Sequence, residues 1–171
     1  MKYLIAFLFV SALFSCQSKK AQNYLSLLDS TDRKIFQILI DKQVDDKRLE
    51  ALIADKPDLA LRLAKQQSQS LKKEIAKVES LNIDHLPDAL PLKKSVRNYY
   101  NTVLRLKEVD IMEAELLSGT QSKDTIKAKK AQSELINLAR KRLTIHTELG
   151  NLEQQRNRAK VKFEETNGLK D

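Results

Sequence analysis

Few residues of this chain could carry chemistry, and the most reactive of them is a thiol. Cys16 is the only cysteine, so it can form no disulfide within the chain and supports no cysteine-based metal site. As a thiolate it is a nucleophile that can be alkylated. The two histidines, His85 and His146, stand far apart without a His-x-x-x-His spacing. The sequence therefore predicts neither a metal site nor a cofactor.

Carboxylates cluster on one predicted helix at Glu108, Asp110, Glu113 and Glu115. With Lys107 and other basic neighbours beside them, this pattern favours surface ion pairs over acid/base catalysis. A di-iron bundle would need Glu-x-x-His pairs, which are absent from the sequence. The chain also lacks a glycine-rich phosphate loop, a serine nucleophile elbow and a dinucleotide fingerprint. We therefore expect a protein that is not an enzyme.

The N-terminus has the layout of a secretory signal. After Met1 and Lys2, the run Tyr3 to Phe14 is apolar apart from Ser11, and it is shorter than the roughly 20 residues that span a bilayer. The run ends in Leu13-Phe14-Ser15-Cys16. This segment resembles the lipobox of bacterial lipoproteins, which has an aliphatic residue three before the cysteine and a small residue directly before it. Phe14 is bulkier than that motif usually carries.

The resemblance implies that residues 1–15 are removed as a lipoprotein signal peptide. The Cys16 thiol then takes a diacylglyceryl group, and its freed amine is acylated with a fatty acid such as palmitate. Two or three acyl chains make attachment to a membrane effectively permanent. The alternative is an ordinary signal peptide that happens to be followed by a cysteine.

The residues after Cys16 bear on the address. Gln17-Ser18-Lys19-Lys20 has no Asp directly after the cysteine, which in lipoproteins of the enterobacterial type implies transfer to the outer membrane. We expect the periplasmic face of that membrane, with the cell surface as the alternative.

The composition predicts an all-α domain with a basic surface. Three Gly, three Pro, no Trp and 5% aromatic residues are unlike an all-β domain. The net charge of +8 becomes +7 once Lys2 is removed with the signal. Such an excess favours anionic surfaces, but a solvated helical surface that charge keeps soluble is the preferred interpretation. Nucleic acid is not an expected partner, because stacking aromatics are few and the address is outside the cytoplasm.

Residues 16–23 are expected to be the lipidated cysteine with a short polar tether, and residues 24–171 a single helical domain. Capping side chains at Asp29 to Asp32 predict the start of a helix that runs through Ile40. A second short helix is expected from Asp45 or Asp46 to Ala54. Its inward residues are predicted as Leu49, Leu52 and Ile53.

Two longer helices follow. One begins with Pro57 as its first residue and runs to about Leu81, with looser packing at Gln66 to Ser70. The segment Asn82 to Pro91 is the clearest break in the chain. The next helix runs from near Pro91 to Leu117, and Gly119 is the expected C-terminal cap because glycine can adopt positive φ without steric cost.

The last helix, from Ser122 to about Glu165, has the most regular pattern, and it would be about 65 Å long. Eleven of its residues are spaced alternately by three and four, as the a and d positions of a heptad are. These register residues are Ala128, Ala131, Leu135, Leu138, Arg142, Ile145, Leu149, Leu152, Arg156, Ala159 and Phe163. A neighbouring stripe is expected to widen the buried face; it consists of Ile136, Ala139, Leu143 and His146.

These helices predict an elongated up-down bundle of three long and one or two short helices. Arg142 and Arg156 would be awkward in a buried dimer seam but can reach water on long stems, so we expect a monomer. Past Gln154 the last helix is expected to run unsupported. Its four basic residues are the candidate partner contact, unless they are merely a solvated helix end: Arg156, Arg158, Lys160 and Lys162.

Two functions remain open. The first is a membrane-anchored structural or adaptor lipoprotein of the cell envelope, which contacts an envelope protein or an anionic polymer. The alternative is a surface-exposed helical lipoprotein that binds a host or environmental ligand.

Overall fold

The structure is a computed structural model that describes the backbone of residues 2–40 and 42–169 and the side chains of residues 17–40 and 44–169. Within these ranges it contains five helices and no strand. They are α1 (Lys2–Leu39), α2 (Lys42–Ile53), α3 (Pro57–Ser80), α4 (Ala89–Thr120) and α5 (Thr125–Thr166). The prediction of an all-α bundle with a long C-terminal helix is confirmed.

The helices run up and down the bundle. At one end, the side-chain amide of Gln121 donates a hydrogen bond to the carboxylate of Asp55 at 2.6 Å. This bond joins the α4–α5 turn to the α2–α3 turn. At the other end, the side chain of Asn167 donates to the carbonyl of Pro87 at 3.0 Å, which joins the C-terminus to the α3–α4 loop. We call the first the upper end and the second the lower end. The helices α1 and α2 together form the first ascending element.

The main hydrophobic core fills the lower half, between α1, α3, α4 and α5. Its largest fully buried side chains are Tyr100, Phe163, Leu71 and Leu92. The rings of Tyr24 and Phe163 lie 5.5 Å apart and tie α1 to the end of α5. The upper half has two smaller apolar clusters instead, one around Ala51, Ala60 and Ala114 and one around Val109, Leu138 and Ile145.

Helix α1 begins well before the predicted cap at Asp29 to Asp32, and that prediction is wrong. Ala21, Tyr24 and Leu28 are buried and follow each other by three and four residues, so one apolar stripe extends upstream of the cap. The cap-type residues have other roles inside the helix. The hydroxyl of Thr31 donates to the carbonyl of Leu27 at 3.0 Å.

Helix α2 is present, but its orientation differs from the prediction. Leu49 and Ile53 are exposed, while Arg48 and Ala51 are buried and Leu52 is partly buried. Arg48 can be buried because it forms ion pairs with carboxylates. The pattern of aliphatic residues in α2 does not predict these ion pairs.

Helix α3 starts at Pro57 as predicted. Its polar stretch does not pack loosely, since Gln67 and Ser68 are buried. The Gln67 amide donates to the carbonyl of Ile38 at 2.8 Å, close to the end of α1. A hydrogen-bonded polar side chain can be buried at modest cost, and this one fixes where α1 stops along α3.

Helix α4 continues past its predicted end to Thr120, so Gly119 is a helical residue and not the cap. A Cβ built on Gly119 would lie 3.3 Å from the Cβ of Ala131 on α5. The glycine therefore serves the close approach of the two helices at the upper end.

Helix α5 spans 42 residues, about 63 Å at the rise of an α-helix. Every one of the eleven register residues is buried or partly buried, as the heptad pattern predicts. The neighbouring stripe does not widen the buried face, because Ile136, Ala139, Leu143 and His146 are all exposed. Helix α2 packs against α3, and the upper part of α5 leans on α4.

Candidate functional site

The predicted lipidation site lies at the lower end of the bundle. The side chains of Leu13 to Cys16 are outside the described residues, but the backbone of α1 continues without a break from there to Leu39. Ala21 is already 0% exposed, and five residues of helix measure about 7.5 Å. The segment 17–23, expected to be a tether, is thus helical and enters the core. Among the described residues, no helix is long and apolar enough to cross a membrane.

The four basic residues proposed for partner contact do not lie on a projecting end. Phe163, on the same turns of α5, is 0% exposed, so this part of the helix packs in the core. Arg156 lies 3.4 Å from a carboxylate oxygen of Asp32 on α1. Its guanidinium also covers the ring of Tyr99, 4.5 Å from the centroid. The prediction that α5 runs unsupported past Gln154 is wrong.

The same end of α5 makes two more ion pairs, one on each side of the helix. Lys160 lies 3.1 Å from Asp29, and Lys162 lies 3.2 Å from Asp88 at the start of α4. Arg158 is exposed. Three of the four candidate residues therefore hold α5 to its neighbours.

Electrostatics at this end follow from those contacts. Hydrogen bonds from Thr166 and Lys162 lower the pKa of Asp88 below its ordinary value of 3.8. Burial raises the pKa of Asp32, while the charge of Arg156 opposes the rise. Burial also raises the pKa of Tyr24 to about 12. These side chains act as structural groups of the interface between α1, α4 and α5.

An ion-pair network that the sequence did not predict crosses the upper half. Arg142, a register residue of α5, donates to Asp110 at 3.0 Å and to Glu113 at 3.0 Å, both on α4. Lys107 lies 3.2 Å from Asp110. Arg48 of α2 lies 3.6 Å from Glu113.

Asp45 completes the network, 3.2 Å from Arg48 and 3.7 Å from Lys107. Lys107, Asp110 and Arg48 are buried, so the expected surface pairing on α4 is wrong for Asp110. The hydrogen bond to Glu113 is the main cause that raises the pKa of Arg142. The three cations and three carboxylates of this network balance. The feature of the sequence that could have indicated this network is Arg142, an arginine at a heptad position of α5.

The exposed side of α5 in the upper half is the second candidate surface. We call the residues that directly follow a register residue, from Lys129 to Gly150, the open flank. They are Lys129, Gln132, Ile136, Ala139, Leu143, His146 and Gly150, and all are exposed. Ile136 is 60% exposed and Leu143 70%. These two large apolar side chains share one exposed face of the helix, which makes this face a candidate contact surface.

The histidines do not form a site together. His85 lies exposed in the α3–α4 loop with φ of 62°. His146 is exposed on the open flank, so the expectation that it borders the core is wrong. Among the side chains that the structure describes, no three of the metal-binding types His, Cys, Asp and Glu come together.

No protein family model, no curated protein and no solved structure matches this chain.

Proposed function

We propose that the mature chain is a lipid-anchored, non-enzymatic structural or adaptor protein of the bacterial cell envelope. Lipid on Cys16 holds it at the outer membrane, on the periplasmic face. The bundle extends from this anchor and presents its upper half to an envelope partner.

The observation that carries this proposal is the continuity of α1 from the lipobox-like segment into the core. Ala21, five residues after Cys16, is fully buried. An acylated Cys16 would then be joined to the bundle by about one and a half turns of helix. The ion pairs of Asp29 and Asp32 with α5 also fix the direction of the long helix relative to the anchor. A rigid reach suits an adaptor better than a loose tether would.

The exposed side of α5 supports the second half of the proposal. Ile136 is 27 residues before Phe163 along α5, a distance of about 40 Å in a helix. The open flank is thus far from the anchored end. A partner at that distance from the membrane surface could reach it.

Metabolic labelling with a palmitate analogue tests the anchor. We expect the wild-type chain to be labelled and to stay in the membrane fraction after a high-salt wash. The variant Cys16→Ser should be unlabelled and keep its signal segment, because the oxygen of serine does not take the diacylglyceryl group. Ser18→Ala, two residues away, is the matched control and should behave as the wild type. An unlabelled wild-type chain would refute the anchor.

Protease treatment of intact and permeabilised cells tests the address, with an antibody to residues 22–171 as the probe. Survival in intact cells and loss after permeabilisation would support the periplasmic adaptor. Loss from intact cells would refute the periplasmic address and favour the surface-exposed, ligand-binding alternative.

A further inference from the structure

The open flank combines apolar side chains with cations and has no carboxylate. Ile136, Ala139 and Leu143 form its centre. Lys129 on the flank and Arg140 beside it are exposed and form no ion pair with any described residue. The carboxylates of α5 between residues 126 and 150 are Glu134 and Glu148.

Both of those carboxylates lie on the other side of the helix. Each directly precedes a register residue, and Glu148 pairs with Arg105 of α4 at 2.7 Å. From Lys129 to Gly150 the α5 charges on and beside the open flank are therefore positive, and the next residue of this side, Glu153, is its first carboxylate.

In the lower half the same flank is only partly covered, since Lys160 and Glu164 are partly buried whereas Glu153 and Asn157 are exposed. Lys160, which also follows a register residue, pairs with Asp29 of α1 at 3.1 Å, so α1 contacts the flank at this point. Helix α1 ends at Leu39, and α2 packs against α3. Phe36 and Ile40, which continue the side of α1 that carries Asp29 and Asp32, are 60% and 52% exposed. The contact of α1 with this side of α5 thus ends before the level of Leu143 and Ile136.

We infer that the open flank binds an acidic amphipathic helix of a partner protein. The apolar residues of that helix would pack on Ile136 and Leu143. The small Ala139 between them would allow close approach of the two helices, and carboxylates would face Lys129 and Arg140. Helix-in-groove recognition uses this combination of an apolar face with flanking charges of opposite sign.

Charge and position argue against two other occupants. In an antiparallel pair of two copies centred on Ala139, the two Arg140 side chains would lie close to each other, and like charges across an interface are unfavourable. A bilayer would have to meet the half of α5 that is far from Cys16. The location of the partner in the envelope rests on the proposed function, whereas the chemistry of the flank does not.

Binding of synthetic helical peptides tests the inference. The probes are two fluorescent peptides of three heptads with leucine at a and d, one with glutamate and one with lysine at the flanking positions. The full mature chain is used, in zwitterionic nanodiscs if it is acylated and in solution if it is not. Peptide binding can therefore be measured even if Cys16 is not lipidated. A negative result for peptide binding would not contradict lipidation. Fluorescence anisotropy should report binding of the glutamate peptide and at least tenfold weaker binding of the lysine peptide.

Two variants locate the site. Leu143→Glu should weaken binding of the glutamate peptide at least tenfold, because it puts a like charge at the centre of the flank. Leu90→Glu is the matched control, since Leu90 is 67% exposed at the opposite end, and it should bind as the wild type does. Circular dichroism should report the same helicity for both variants.

Four outcomes would overturn the inference. They are no binding of the glutamate peptide, equal binding of both peptides, equal weakening by both variants, and loss of peptide binding because the chain dimerises through the flank. Dimerisation is read by sedimentation of the wild type and of Leu143→Glu. Flotation with anionic vesicles is measured in parallel; binding to vesicles that Leu143→Glu abolishes, without peptide binding, would assign the flank to a lipid surface instead.

Discussion

The two halves of the bundle are held together by different interactions. In the lower half, Tyr100, Phe163 and Leu71 belong to one continuous apolar core, and its charged residues lie at the rim. In the upper half the apolar clusters are small. There the ion-pair network joins the helices, with Asp110 buried and Arg142 partly exposed.

The apolar core and the ion-pair network therefore have different roles, one in the stability of the fold and one in the alignment of the helices. Burial of apolar area supplies most of the favourable free energy of folding. A buried ion pair gains little net free energy, because desolvation offsets the attraction, yet removing one partner is costly. The lower half should therefore carry the stability of the fold, while the network fixes how α2, α4 and α5 are aligned. The open flank lies in the half with fewer apolar contacts.

Truncation in the lower core should have the largest effect. Phe163→Ala should lower the free energy of unfolding by about 3–5 kcal/mol, because it leaves a cavity against Tyr24. Val161→Ala is the control, since Val161 is partly exposed on the same helix, and its effect should be much smaller. Urea unfolding followed by circular dichroism measures both. If Phe163→Ala does not fold, Phe163→Leu should still show a loss larger than that of Val161→Ala. Equal losses would contradict a core centred on this end.

Breaking the network should have the next largest effect. Asp110→Ala leaves Arg142 and Lys107 without a shared carboxylate, and the expected loss is about 3 kcal/mol. Glu115→Ala is the matched control on the same helix. Glu115 forms an ion pair with Lys65 in which both side chains are exposed, and such pairs contribute about 0–1 kcal/mol.

Hydrogen exchange should locate the loss caused by Asp110→Ala. Amides of α2 and of the upper parts of α4 and α5 should exchange faster. The amides around Phe163 should stay protected, limited only by the reduced free energy of global unfolding of the variant. Uniformly faster exchange in both halves would mean that the network stabilises the whole bundle and not only its upper half.

The same contrast decides what could be predicted from the sequence. Apolar spacing identified the three helices α3, α4 and α5 but not the full length of α1, and the heptad register of α5 is buried as predicted. Periodicity failed where its signal was ambiguous: Leu49 and Ile53 are aliphatic but exposed. The sequence of α2 does not predict the ion pair between Arg48 and Glu113 of α4, because the two residues are 65 positions apart.

Long-range partners also explain the other differences. The basic residues at the end of α5 were predicted to be exposed to solvent, because the sequence does not show that they pair with Asp29 and Asp32 of α1. These aspartates in turn read as helix caps. A short-range pattern cannot distinguish a capping carboxylate from one that pairs across the bundle. The lipobox-like segment is a short, local pattern, and its lipidation stays a prediction.

A pair of glycines tests the close approach of α4 and α5 at the upper end. Nothing lies within 4 Å of a Cβ built on Gly150, so Gly150→Ala should raise the free energy of unfolding by about 0.5–1 kcal/mol through helix propensity. Gly119→Ala gains the same propensity but must fit a Cβ 3.3 Å from that of Ala131. Its stabilisation, measured by urea unfolding, should be smaller than that of Gly150→Ala. An equal gain would mean that the helices separate there without cost.

The smallest effect is expected for a rim ion pair of the lower half, and it should depend on pH. The folded-state pKa of Asp88 is below 3.8 because Thr166 and Lys162 bond to its carboxylate. For a lowered pKa, the stabilisation is present above the ordinary value and is lost as the pH falls through the folded-state value. Asp88→Asn should therefore be less stable than the wild type at pH 7, and the difference in urea midpoint should shrink below pH 4. Asparagine tolerates the positive φ of residue 88, so the backbone is not the cause. Asp84→Asn, in the same loop, should leave the midpoint unchanged at both pH values. If the gap between Asp88→Asn and the wild type stayed constant with pH, the charge of Asp88 would not be what holds the end of α5 to α4.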